Sequence, residues 1–333
     1  MVLNWKTAMA TASCVVMFAL SALAQVASPT ILRIDTDNGV RYVYDTADLS
    51  SFATVPTPLI QVRPTFATQV LLSDIVAVNG KPAKGVFLTR QTILNLTTDP
   101  IPGQAIADVV RTNVVERILE ILQPDGTPIG SLMTLGFDGG TPPPGAPLIA
   151  SGSNYAITGG TGAFLGVRGQ LNGAGSPPNR NASVREDPAK RRVNGGGQGV
   201  YYAHLIPMSR PEILTTAGGP VIVHSSDFSL VTASKPAALN ELLSVIATGL
   251  GPTRPGVDPG KPFPATPPAA VNSPVEITVN GKSADIIGAV GYPGAVDGYL
   301  VNFRVPSDAA HGVATIQLTA AWISGSPVNI PIQ

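Results

Sequence analysis

From Thr30 to the C-terminus, short runs of β-branched and aromatic residues alternate with turn residues, and the pattern predicts strands rather than long helices. Ile31 to Asp35 and Val40 to Tyr44 flank Asp37-Asn38-Gly39, and an Asn-Gly pair between two such runs predicts a tight hairpin. Phe66 to Leu72 and Ile75 to Val78 lead to a second turn at Asn79-Gly80, after which Val86 to Leu96 forms a longer strand. Ile106 to Leu122 fits two templates. Val110, Val114, Ile118 and Ile121 lie on one helical face, whereas the β-branched content and the Asp125-Gly126 turn that follows favour a strand running back into Ile129 to Phe137. As a strand it sets Thr112, Val114, Glu116 and Ile118 on one face and Arg111, Asn113 and Arg117 on the other. Both faces carry polar groups, so which one points inward stays open.

Two stretches break the rhythm. Gly139 to Pro147 is a Gly/Pro loop, and 172–199 is a longer polar excursion with Arg180, Arg185, Lys190, Arg191 and Arg192 among glycines and prolines, expected as a mobile surface loop. Val200 to Ile206 closes the first series. A second series follows, with strands expected at Val221 to His224, Leu242 to Thr248, Val275 to Val279, Leu300 to Val305 and Val313 to Ala320, and a tight turn at Asn280-Gly281. Gly and Pro are dense between 249 and 274, which excludes a helix there. Repeated short strands over such a length suggest a β-sandwich of immunoglobulin type at 218–333.

The N-terminus has a different character. Lys6 precedes an apolar stretch from Ala8 to Leu20, and Ala22-Leu23-Ala24 is a small-x-small site, so 1–24 is expected to be a secretory signal peptide cleaved between Ala24 and Gln25. The stretch is short for a membrane span, so no integral span is expected after cleavage. Cleavage removes Cys14, the single cysteine, which leaves a secreted or extracytoplasmic protein without thiol chemistry or disulfides. The chain is charge-balanced, with 21 basic and 21 acidic residues, which gives it no electrostatic reason to seek nucleic acid. Charged residues make up 13% of the chain, and 35 glycines and 32 prolines again speak for turns.

One glycine run could carry chemistry. Thr158-Gly159-Gly160-Thr161-Gly162-Ala163-Phe164 has the spacing of a dinucleotide fingerprint, but Val167-Arg168-Gly169 and Asn172-Gly173 leave no room for the helix that would hold a pyrophosphate. Taken from Tyr155 to Gly169, the run instead resembles the late-strand signature of the dirigent and allene oxide cyclase superfamily. The resemblance implies an eight-stranded antiparallel β-barrel over 29–210, often trimeric, with Gly159, Gly160, Gly162 and Gly169 shaping a tight connection and Phe164 plugging the rim or floor. It also implies a lumen for a small apolar ligand. From Asp227 onward, Ala247-Thr248-Gly249-Leu250-Gly251-Pro252, Val279-Asn280-Gly281-Lys282, Val301-Asn302-Phe303-Arg304-Val305-Pro306 and Gly312-Val313-Ala314-Thr315 resemble the uncharacterised C-terminal domain of large secreted proteins of Solibacter-type acidobacteria. That resemblance implies an immunoglobulin-like module used as a spacer or for surface association.

The fold expectation is therefore all-β: an antiparallel eight-stranded barrel followed by an immunoglobulin-like sandwich. Glu116, Arg117, Asp138 and Arg168 are the charged residues on strands near the signature and serve as ligand-binding candidates. None aligns with a family catalytic residue, and His204, His224 and His311 have no metal-ligand spacing, so no catalytic residue, metal or cofactor is assigned. Two functions remain. One is a non-catalytic exported protein that binds a small apolar molecule or makes cell-surface or homo-oligomer contacts. The alternative is a cyclase-type isomerase or a dirigent-type coupling activity in the lumen.

Overall fold

The computed structural model describes residues 30–45, 66–94, 102, 112–139, 155–174, 180–182 and 185–333. The expected signal peptide, its Ala24–Gln25 junction and most of the 139–147 loop lie outside these residues.

Eight strands form the first unit: β1 (Thr30–Asp45), β2 (Phe66–Val78), β3 (Lys84–Leu94), β4 (Thr112–Leu122), β5 (Pro128–Gly139), β6 (Tyr155–Gly162), β7 (Arg168–Gly173) and β8 (Gly197–Ile206). Each pairs antiparallel with the next, β8 pairs back onto β1, and β1 pairs with β2, so the sheet closes into a barrel. Closure settles the ambiguity on β4. Val115, Arg117, Leu119 and Ile121 are buried inside, while Val114, Glu116, Ile118 and Glu120 face out.

The Asp37-Asn38-Gly39 turn expected from sequence is not a hairpin. β1 runs straight through it as one strand, with a bulge where its register against β2 slips between Asp37 and Val40. Asn38 takes the left-handed conformation at φ 55°, which serves a bulge as readily as a turn. Its amide Nδ2 donates to Asp74 Oδ2 at 3.1 Å and its backbone N–H to Asp37 Oδ1 at 2.7 Å. By contrast, Asn79-Gly80, Asp125-Gly126 and Asn280-Gly281 do sit in turns, with positive φ at Asn79, Gly80, Gly126, Asn280 and Gly281.

Beyond the bulge Val40 and Tyr42 point outward. They pack with Ala182 under a short strand, Arg180–Ala182, that runs parallel to β1. The polar excursion that holds this strand is built rather than bare. Arg180 makes a two-bond pair with Glu186 at 2.6 and 2.9 Å, and its Nε donates to Gly195 O at 2.7 Å. Arg191 and Arg192 both reach the Asp74 carboxylate on β2. Of the basic residues expected on a mobile surface loop, Arg180, Arg191 and Arg192 are thus engaged by acids of the same unit.

The second unit has two antiparallel sheets. One is centred on β9 (Leu242–Thr248), β11 (Asp285–Gly291) and β12 (Gly298–Arg304), and Glu212–Ile213 and Ile222–His224 both add to β9. The other holds β10 (Val275–Val279), β13 (Gly312–Ala320) and β14 (Val328–Ile332). Leu243, Val245, Val301 and Phe303 from the first meet Ile277, Val279, Ile316, Leu318 and Ile330 from the second in one buried core, which makes the unit a sandwich.

The two units share more than a linker. The two-residue turn Ala321-Trp322 joins β13 to Ile323–Ser324, and both residues have positive φ, 47° and 64°. Such turns ordinarily take Asn-Gly, because a side chain resists that conformation. Here Ala321 and Ile323 are buried within the barrel's own apolar cluster, which also holds Val78, Ile121, Ile129, Phe164 and Val167, and Trp322 packs against it. The sandwich thereby floors the barrel. An ion pair from Lys81 to Glu276 and a hydrogen bond from the Gln123 amide to Asn272 O surround this contact.

Candidate functional site

The floor end of the barrel is where β2–β3, β4–β5 and β6–β7 turn tightly; the strand ends at Asp45, Phe66, Leu94, Thr112, Gly139 and Tyr155 lie at the far rim. Between the two ends the lumen changes character. Near the floor it is filled by Leu32, Ile34, Ile75, Leu119, Leu132, Ile157, Phe164 and Leu171, all buried. One rung above Leu119 the register aligns Thr89 on β3, Arg117 on β4 and Thr134 on β5, all buried. The next rung adds Gln91 and Val115, and Gln69 faces Gln91 from β2.

Arg117 is only 7% exposed. Its guanidinium carbon lies 3.7 Å from the centre of the Tyr155 ring and 5.7 Å from those of Phe87 and Tyr201, which themselves stack at 4.3 Å. Three aromatic faces therefore hold the cation in place. They do not satisfy its donors: Nε and Nη1 of Arg117 have no hydrogen-bond partner among the described residues, and neither do the hydroxyls of Thr89 and Thr134 beside it. A buried charge in that state is expensive, since the desolvation of a guanidinium is ordinarily offset by a carboxylate and a full set of acceptors. Arg41, across from the inward-facing Leu71, falls on the luminal side of the alternation, opposite to Val40 and Tyr42. Burial pushes the Tyr201 phenol up, while the charges of Arg117 and Arg41 pull it down, so both cations act on the same space.

The four sequence candidates separate. Arg117 is luminal. Glu116 is a correction to the expectation: alternation turns it to the outer wall, where it pairs with Arg90 on β3 and is about half exposed. Arg168 is also a correction, being exposed at the floor end with Nη1 donating to Val167 O at 3.1 Å. Asp138 is near the rim end of β5, opposite Asn113. At strand rise it is four positions, roughly 13 Å, along from Thr134. Thr89, Thr134 and Tyr201 were missed, for single hydroxyls on alternating strands carry no signal until the barrel closes.

The glycine run has a structural role at the floor. Gly159, Gly160 and Gly162 end β6, Phe164 sits in the turn at 1% exposure, and Gly169 opens β7. A Cβ on Gly160 would stand 2.4 Å from Phe164 O and 2.7 Å from Ser131 O, and Gly162 adopts φ 62° against Ile129 O. The turn that seats Phe164 needs both.

On the outer wall, a groove of about 590 Å³ lies between Asp74, Lys84, Glu120 and Arg192, and one of about 310 Å³ between Leu88, Ile118, Glu120 and Thr161. The first mixes charges of both signs and the second has one acid, so neither matches the unpaired cation inside. No group of three or more acidic, His or Cys residues suited to a metal occurs among the described residues.

No family model matches the chain, and no curated protein is similar to it. Among solved structures, a polysaccharide lyase aligns over 91% of this chain and 39% of its own, at 7% identity and a TM-score of 0.17. The chain thus spans about two-fifths of that protein's length. No helix among the described residues is long and apolar enough to cross a membrane.

Proposed function

We propose that the chain is an exported binding protein without catalytic activity, whose barrel holds one small, largely apolar organic molecule in the luminal half away from the sandwich. The observation that carries this reading is the break at the Arg117 rung. A barrel built only for strength fills its interior with apolar side chains from end to end. This one does so near the floor and then presents unpaired polar groups framed by Phe87, Tyr155 and Tyr201. Apolar walls with a few oriented polar groups are the ordinary composition of a small-molecule site.

The rival reading, an isomerase or coupling enzyme, asks for acid–base groups converging from several strands. Of the three charged candidates whose side chains are described, only Arg117 is in that position, and a guanidinium neither gives up nor takes a proton at ordinary pH. The resemblance to the dirigent and allene oxide cyclase superfamily supports the barrel as a container. In the same reading, the sandwich is an immunoglobulin-like module that closes the container and associates it with the cell surface.

The test is a thermal-shift screen of the secreted protein with 1-naphthol, coniferyl alcohol and 4-hydroxybenzoate. A concentration-dependent rise in melting temperature, with the compound recovered unchanged, is expected for at least one. No rise with any of them would refute the binding reading, and recovery of an isomer or coupled product would transfer the case to the enzyme. Mass analysis of the secreted chain should find Gln25 at its N-terminus.

A further inference from the structure

We infer that the lumen is an anion site that takes a small organic acid head-first: its carboxylate seats on Arg117 between the hydroxyls of Thr89 and Thr134, and its apolar body extends toward the far rim. This deepens the binding reading and rests on it.

Three independent features converge on it. First, among residues whose side chains are described, the luminal face carries Arg41 and Arg117 and no carboxylate. Second, the unpaired atoms form a set. Nε and Nη1 of Arg117 are donors, and the Thr89 and Thr134 hydroxyls flank them from the two neighbouring strands, so all four lack partners at one rung. Nε–H and Nη1–H leave the guanidinium on different edges, so a carboxylate oxygen accepts from one of them and retains lone pairs for the hydroxyl donors beside it, whereas a neutral amide or ester offers a weaker, uncharged acceptor. Third, the direction is set by packing. The rung below holds Phe87, Leu119 and Leu132, fully buried, which closes that side of the arginine to the body of the ligand. Tyr155, against which the guanidinium lies, fixes the charge in position before any ligand arrives.

The experiment uses the mature full-length chain and titration calorimetry with 4-hydroxybenzoate, 4-hydroxybenzamide and inorganic phosphate, on the parent and on Arg117→Met. The acid should bind the parent at least about tenfold tighter than the amide, and Arg117→Met should lose that preference, since a charged hydrogen-bonding partner is removed. The unliganded variant should melt no lower than the parent, because an apolar side chain of similar length replaces an uncompensated buried charge. Acid and amide binding equally would overturn the anion site while leaving the binding reading intact. Neither of them binding would overturn the anion site, and would remove the binding reading as well if 1-naphthol and coniferyl alcohol also fail to bind. Phosphate binding tighter than the aromatic acid would overturn the carboxylate and its apolar body. A markedly lower melting temperature for Arg117→Met would show that Arg117 is held by partners for structure, which also overturns the proposal.

Discussion

The two interiors of this chain are built to different rules. In the sandwich the core is apolar, and the polar side chains beside it are mostly matched, the Ser273 hydroxyl being an exception among the described residues of that unit. His224 Nδ1 lies 2.5 Å from Glu241 Oε1 and its Nε2 lies 3.2 Å from Lys235 O, while the Ser244 hydroxyl donates to Asn302 Oδ1 at 2.8 Å. In the barrel the floor half follows that rule and the half above it does not: Arg117, Thr89 and Thr134 are buried with atoms that nothing among the described residues satisfies. Both interiors come from the same alternation of β-formers, so the difference is not one of fold type. A buried polar group that is left unmatched costs stability, and a rung that concentrates several of them, framed by aromatic rings, marks where the barrel departs from pure packing.

The largest effect should come from breaking the rule in the sandwich. Phe303→Ala removes a fully buried ring from its core and should cost about 3–5 kcal/mol in a denaturant melt. Set beside it, Arg117→Met changes a side chain of similar burial at little or no cost. A comparable loss in the two variants would erase the contrast. Next, Gly160→Ala should cost about 1–3 kcal/mol, because its new methyl meets backbone oxygens that cannot move aside. Native stability in Gly160→Ala would mean that the Phe164 turn is looser than drawn.

The clamp on the outer wall sharpens the comparison from another side, since there a buried arginine does have its acid. Burial works to raise the Asp74 carboxyl, but the hydrogen bonds from Arg192, Asn38 and Arg191 and the Arg191 charge outweigh it and hold it below the usual carboxylate range. Asp74→Asn should therefore cost about 1–3 kcal/mol at neutral pH, with Arg191 left uncompensated. Because the folded-state value is depressed, this contribution is complete above the unfolded carboxylate value of about 3.9 and is lost as pH falls through the folded one. The gap between parent and Asp74→Asn in urea melts should accordingly hold steady from pH 7 to about 5 and close below about 4. A gap that persists unchanged at pH 3 would count against the clamp.

The smallest effect belongs to Glu116. Its pairing with Arg90 is exposed, so Glu116→Gln should shift stability by less than about 1 kcal/mol and leave ligand binding untouched. Loss of binding in Glu116→Gln would reverse the assignment of inner and outer faces on β4.

That pair of neighbours shows how far the sequence reaches. Alternation on β4 told that Glu116 and Arg117 point to opposite sides, but which side is inside depends on closure of β8 onto β1, a contact far along the chain. Asn-Gly signals were legible as left-handed positions and not as their use: Asn79 and Asn280 turn the chain, whereas Asn38 bulges a continuous strand because β2 supplies partners on both sides of it. The Ala321-Trp322 turn carried no turn residue at all, since its conformation is imposed by burial in the barrel floor. The glycines around Phe164 were legible because close backbone approach excludes every other residue. The unpaired hydroxyls of Thr89 and Thr134 were not, because a lone threonine on a strand is silent about its neighbours.

The central claim, that the lumen seats an anion on Arg117, is tested most directly by a crystal of the mature chain soaked in 4-bromobenzoate, with bromine located by its anomalous scattering. The account predicts one bromine inside the barrel on the rim side of the Arg117 rung, with the carboxylate in hydrogen-bonding contact with the guanidinium. Bromine found only on the outer wall, or a luminal molecule with its carboxylate turned away from Arg117, would contradict it.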